Sequence, residues 1–237
     1  VIPLKDNIKT RTFPVVNYLL IAGNIYGFVQ ELAQPNAKAF CAFLSRWSLV
    51  PVALAQAPDR AWVTILSSMF LHMGWAHLIG NMLYLWLFGT NVEDRMGHRR
   101  YLFFYLLCGV FAALAQVSLF PASKVPMVGA SGAIAGVMGA YFLLYPKARI
   151  TALVPIWIFL RVMEVPAIFF LGFWFLLQAF QGWGALAGGA AGGVAWWAHA
   201  GGFLAGGVLL FFFRKPAPRP RQVSYRGGGF GGHRRCR

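Results

Sequence analysis

The chain has 237 residues, 59% of them apolar and only 11% charged, with a mean hydropathy of +0.61 and a formal net charge of +15. A water-soluble domain of this size carries more charge, so the composition excludes one and points to a lipid bilayer. Cys41, Cys108 and Cys236 are odd in number and widely spaced, which indicates neither a disulfide framework nor a cysteine metal site.

A helix that crosses the hydrocarbon core needs roughly 20 apolar residues, and lipid leaves its backbone no partners but its own. Residues 1–13 read as a cytoplasmic segment, and a first span covers about 14–29. Nothing near the N-terminus reads as a cleaved signal peptide, so this span is expected to be a retained anchor. A long outer loop follows over about 30–74. Its Phe40, Phe43, Leu44, Trp47, Leu49 and Trp62 suit a segment folded against the membrane surface. The second span covers 75–89, the third 101–120 and the fourth 130–145. An apolar stretch at 150–160, interrupted by proline, is placed partly in the interface before a fifth span at 165–179. The sixth covers 194–213, and the basic tail at 214–237 has too little apolar content to fold. The fold class expected is all-α: a polytopic membrane bundle of six transmembrane helices. No internal repeat is evident.

Charge orients the bundle. Lys5, Lys9 and Arg11, then Arg95, Arg99 and Arg100, then Lys147, Arg149 and Arg161, and finally the tail, fall on one side if every span crosses. Only Lys38, Arg46, Arg60 and Lys124 fall on the other, so both termini are expected in the cytoplasm. The tail suits anionic lipid headgroups, and no nucleic-acid partner is expected. The compartment adopted is a bacterial inner membrane.

Strongly polar side chains at membrane depth are costly and need a reason. Span two supplies His77 and Asn81 on one helical face, with His72 just before it; spans four and six supply Ser131 and His199. The fourth span has roughly 16 residues, about 24 Å of helix, too short to cross the core. Pro146, Lys147 and Arg149 fix its cytoplasmic end, so Ser131 lies below the outer surface in a wet cavity. Free N–H groups and the positive end of the helix dipole there would stabilise an oxyanion.

Span four carries Gly132, Gly136 and Gly139, and Gly202 and Gly206 fall three and seven residues beyond His199, on its own helical face. Small residues let helices approach closely in lipid, as a Ser–His hydrogen bond requires. Acyl transfer then has its parts: Ser131 as nucleophile, His199 as base, and the Ser131 N–H with His77 and Asn81 as oxyanion donors. Glu31, Asp59, Glu93, Asp94 and Glu164 fall at loops or span ends and Asp6 in the N-terminal segment, so a dyad is expected instead of a triad.

Each residue alone has a plainer reading. Ser131 could bond back to a carbonyl, His199 could simply pack, His77 and Asn81 could be interhelical glue, and His72 could cap the outer loop at the interface. Their joint occurrence on one side of the membrane favours chemistry.

The set resembles the rhomboid family of intramembrane serine proteases over about residues 62–213. His72-x4-His77-x3-Asn81 resembles the family's oxyanion-side motif, Gly129-Ala130-Ser131-Gly132 its nucleophile motif, and Ala198-His199-Ala200-Gly201-Gly202-x3-Gly206 its base motif. Glu93-Asp94-Arg95-Met96-Gly97 is similar to the turn after the second helix, where Glu93 and Arg95 would serve structure. The resemblance implies a six-helix bundle that hydrolyses peptide bonds in or near transmembrane segments of other proteins. Substrates would enter past the fifth helix, under a flexible cap formed by about residues 181–193. Some members stack an aromatic residue on the histidine from four positions after the nucleophile; this chain has Ala135, so His199 needs another orienting contact, from Trp196, Trp197 or the glycine face. A Trp-Arg pair of the kind some members carry in the outer loop is not evident, since Arg46-Trp47 is reversed.

Other classes fit less well. A silent chaperone or adaptor should lack part of the dyad, and a transporter should show acidic residues at depth or repeated halves. No cofactor is implied, and His72 and His77 are five apart without a third ligand, so no metal is expected.

Overall fold

Segments that cannot bond to lipid close their hydrogen bonds internally, and the computed structural model, which describes residues 1–156, 159–187 and 194–215, is accordingly mostly helical. In chain order the elements are β1 (Ile2–Asp6), α1 (Val15–Leu32), α2 (Ala37–Trp47), α3 (Pro51–Gln56), α4 (Pro58–Ala61), α5 (Val63–Ser67) and a 3-10 turn (Ser68–Phe70). There follow α6 (Trp75–Met96), α7 (His98–Leu119), α8 (Ser131–Leu144), β2 (Arg149–Ile156), β3 (Phe159–Pro166), α9 (Ala167–Leu186) and α10 (Trp196–Phe213).

Among the described residues, α7, α9 and α10 are long and apolar enough to cross a membrane, and α5 with its 3-10 turn and α6, bent by 95°, make a fourth if taken as one span. Helix α1 shows why hydropathy alone is a poor guide. Its buried stripe is Asn17, Leu20, Asn24, Phe28 and Glu31, at three- and four-residue spacing, while Leu19, Tyr26 and Leu32 face outward. Its strongly polar side chains Asn17, Asn24 and Glu31 face protein while large apolar ones face out, the reverse of a surface helix in water.

Helix α8 occupies the centre. All ten residues from Gly132 to Tyr141 are buried, and most are Gly or Ala, so neighbouring helices close on it from several sides. At 14 residues it is about 21 Å long, shorter than the core is thick.

The turn between α6 and α7 is a single residue, Gly97, at φ +82. Only glycine takes that conformation without strain, and its N–H closes on the Glu93 carbonyl at 2.6 Å. Glu93 itself reaches across to α1, where its carboxylate accepts the N–H groups of Val16 at 3.0 Å and Asn17 at 2.7 Å. A remote carboxylate thus caps a helix that has no local side-chain cap.

The all-α expectation needs correction. A three-stranded antiparallel sheet in the order β1-β2-β3 joins the N-terminal segment to the stretch read as interfacial. Strands β2 and β3 form a hairpin with Arg149 opposite Pro166, and β1 pairs with β2 from Ile2 opposite Leu153 to Asp6 opposite Ile150. Ile150, Thr151, Val154, Val162 and Val165 supply the β-branched content that suits a strand. Pro155, which read as an interruption, lies beyond the last β1 partner of β2 and so leaves no ladder bond on that side unmade.

The outer segment is also ordered. Helix α2 is capped by Asn36, whose side chain accepts the Ala39 N–H at 2.9 Å, and Leu49 pairs with Met127 through reciprocal backbone bonds of 3.1 and 2.7 Å.

Candidate active site

The chain enters α8 through Gly129, whose φ of +121 few other residues adopt. Its N–H donates to the Ser68 carbonyl at 2.9 Å, tying the entry to the 3-10 turn. A side chain at this position would also strike His77, whose ring atoms lie 2.8 Å from where a Cβ would be, with the Asn81 amide at 3.6 Å. Gly129 thus brings α6 against the start of α8. Ser131 is the first residue of that helix, where backbone N–H groups have no intrahelical acceptor.

His199 is delivered by α10. The first turn of that helix is capped from α7, where the Gln116 side-chain oxygen accepts the N–H groups of Trp197 at 3.1 Å and Ala198 at 3.2 Å. One residue beyond Ala198, the Nε2 of His199 lies 2.8 Å from Ser131 Oγ. Below the contact, α8 and α10 meet through their glycines. A methyl at Gly202 would overlap the carbonyl oxygen of Gly132, and one at Gly206 would overlap that of Gly136. At Gly132 and Gly136 a methyl would strike Ala112 and Cys108 of α7.

The other ring nitrogen of His199, Nδ1, lies 2.7 Å from Oε1 of Gln178 on α9. Trp174, one turn earlier, sets its ring 5.8 Å from the imidazole at 34°, and Trp196 meets it edge-on at 6.3 Å and 87°. Ala135 is fully buried, and the aromatic contact on His199 comes from α9 and α10 instead of α8. Trp196 was among the orienting contacts the sequence suggested; Trp174 and Gln178 were not. Trp197 turns away and donates from its indole to the Gly182 carbonyl at 3.0 Å.

On the opposite wall, Asn81 Nδ2 lies 3.0 Å from His72 Nε2, and the His72 and His77 rings meet edge-on at 5.0 Å. His72 is 1% exposed and donates its backbone N–H to the Glu31 carboxylate at 2.7 Å. It is a buried support for Asn81, not a residue capping the outer loop at the interface. Glu31, which the sequence assigned to a loop or span end, lies in the last turn of α1 and faces inward.

A cavity of about 770 Å³ joins these walls, lined by His77, Asn81, Tyr84, Ser131, Trp174 and His199 among others. An alcohol, an imidazole and an amide here converge where a peptide could be admitted.

One further assignment shifts. Helix α9 continues to Leu186, so the first part of the segment expected to form a flexible cap is helical, with Trp197 ring atoms lying 3.0 Å from where a Cβ on Gly182 would be. The rest of that cap, residues 188–193, lies outside the described residues, as does the tail from residue 216. Arg95 takes part through its carbonyl, which accepts the Lys215 N–H at 3.2 Å.

The missed groups carried a signal. Gln178 and Gln116 are strongly polar residues inside apolar runs, which is the same criterion that singled out Ser131 and His199.

The Rhomboid domain family model matches residues 59–216, more than half of the chain. The chain is similar to Rhomboid protease GluP of Bacillus subtilis, 37% identical over 130 residues that cover 54% of this chain and 24% of that protein. It is also similar to Rhomboid protein 1, mitochondrial, of Saccharomyces cerevisiae, 30% identical over 173 residues, 70% of this chain and 46% of that one. Rhomboid-like protein 11, chloroplastic, of Arabidopsis thaliana is 38% identical over 76 residues, 32% of this chain and 27% of its own. The chain spans less than half the length of these relatives. With its apolar helices and its matched domain, this integral membrane protein belongs to the rhomboid family.

Proposed function

We propose that the protein is an intramembrane serine endopeptidase that hydrolyses peptide bonds in or near transmembrane segments of other membrane proteins. The observation that carries this reading is the 2.8 Å approach of His199 Nε2 to Ser131 Oγ at the wall of a cavity. Nε2 takes the hydroxyl proton as Oγ attacks the scissile carbonyl carbon. The carbonyl oxygen becomes an anion facing the Ser131 N–H and the side chains of His77 and Asn81. Collapse returns the proton from Nε2 to the leaving amine, and a water activated by the same imidazole then hydrolyses the acyl-enzyme.

The same reading takes α1, α6, α7, α8, α9 and α10 as six spans, with residues 1–13 and the basic tail in the cytoplasm. Support comes from the basic residues at one end of the helices and from the outward apolar faces of α1 and α9. Relatives from a bacterium, a mitochondrion and a chloroplast share the family, and a bacterial inner membrane is the compartment we assign.

Ser131→Ala and His199→Ala, each reconstituted with a model transmembrane substrate, should lose on the order of 10⁴-fold in cleavage while remaining folded. A fluorophosphonate should label the wild type at Ser131. Undiminished cleavage by either variant, or no labelling of the wild type, would reject the assignment.

A further inference from the structure

Gln178 sits in an apolar helix between Leu177 and Ala179, one turn beyond Trp174, and is only 7% exposed. A buried amide is costly unless bonded, so its place in α9 calls for a partner. That partner is Nδ1 of His199, at 2.7 Å.

We propose that Gln178 is the positioning residue of the base, its side-chain carbonyl accepting the Nδ1–H of His199 and so holding the Nε2 lone pair toward Ser131. This rests on the reading of Ser131 and His199 as nucleophile and base. A neutral imidazole carries one donor and one acceptor nitrogen. A carbonyl oxygen can only accept, so the hydrogen resides on Nδ1 and Nε2 is left free to take the serine proton. A donor in the same place would force the opposite tautomer, with N–H against Oγ, and the ring could not act as a base. In triads a carboxylate plays this part; here an amide supplies the same direction without the charge.

Trp174 completes the arrangement. It and Gln178 are four residues apart on one face of α9, so the helix presents an acceptor to the ring edge and an aromatic surface to the ring itself. Trp196 closes the remaining side. Among the described residues, the titratable side chains that face His199 across the cavity are His77 and Tyr84 of α6; α7, α8 and α9 contribute Gln116, Ser131, Trp174 and Gln178, whose charge does not change with pH.

Two variants test this in proteoliposomes, with Ser131 labelling by fluorophosphonate followed against pH. Gln178→Leu keeps the bulk and removes the acceptor. It should lower kcat on the order of 10²-fold, less than the roughly 10⁴-fold lost when a charged triad partner is neutralised, and leave KM unchanged. Gln178→Glu restores an acceptor and adds charge, which favours the imidazolium. It should recover much of kcat and move the acid limb of the labelling profile to higher pH. A purely structural residue would change the folded fraction, read by thermal unfolding in detergent, and leave that limb in place. Gln178→Leu with wild-type kcat, or Gln178→Glu with an unmoved limb, overturns the inference while the dyad stands. Wild-type labelling that persists in Ser131→Ala overturns both.

Discussion

Gly206 lies against the carbonyl oxygen of Gly136 with no room for a methyl group between them. Gly202 stands in the same relation to Gly132, and Gly139 to Phe203, so three contacts set the spacing of the helices that carry Ser131 and His199. Gly206→Val should therefore abolish Ser131 labelling and lower the yield of folded protein. Gly207→Ala is the control, because its new carbon would meet Leu143 at an ordinary 3.5 Å. Equal labelling and equal yield for both variants would show that the spacing is set elsewhere.

If Asn81 is an oxyanion donor, as proposed, removing it should slow chemistry without weakening substrate binding. Asn81→Ala is expected to lower kcat about 10²- to 10³-fold with KM little changed, as single donors do in other serine enzymes. His72→Leu removes the group that holds the Asn81 amide at 3.0 Å and should produce a smaller loss of the same kind. Steady-state cleavage of a transmembrane substrate in liposomes separates the two constants. A rise in KM alone would argue that this wall binds substrate and does not stabilise charge.

The carboxylate of Glu93 holds the start of α1 through two N–H groups and should matter for stability, not turnover. Glu93→Ala leaves those buried donors unpaired and should cost about 2 kcal/mol. Thermal unfolding in detergent reads the loss, and kcat per folded molecule should match the wild type. A kcat deficit at full stability would contradict a structural role.

Asp6 predicts a pH dependence outside the membrane helices. Its carboxylate oxygens accept hydrogen bonds from the Tyr141 hydroxyl at 2.6 Å, the Asn91 amide at 2.7 Å and the Ile8 N–H at 3.1 Å. Burial raises the carboxyl above its ordinary value, against the opposing pull of the bonds from Tyr141 and Ile8. A raised value means that the folded state holds the proton more tightly than the unfolded one. The stabilisation is then full below the unfolded value, about 3.9, and is lost as pH rises through the folded value. Measured against Asp6→Asn in the same detergent, the wild type should lose unfolding temperature as pH climbs from about 4. A difference that is flat or grows with pH would reverse the sign argued here.

What could be read in advance depended on whether a residue's chemistry conflicted with its setting. A serine and a histidine within apolar helices announce themselves, and the short fourth span followed from Pro146 and Lys147 at its end. Gln178 conflicted just as strongly but was hidden by the aromatic run around it, and its partner is 21 residues away on another helix. The sheet stayed hidden for a different reason. Ile2 and Leu153 are neighbours only after the chain has passed through the eight helices α1 to α8 and returned, and no local pattern encodes a pairing at that separation. Glu31 looked like a loop residue because hydropathy falls at the end of α1, yet helical geometry turns it inward beneath His72.

The bond between Asp6 and Tyr141 ties the opening strand of the polypeptide to the helix that begins at Ser131. Changes to β1 are therefore not neutral for α8. A deletion that removes the five residues of β1 would take Asp6 from Tyr141, in the same helix whose first residue is Ser131.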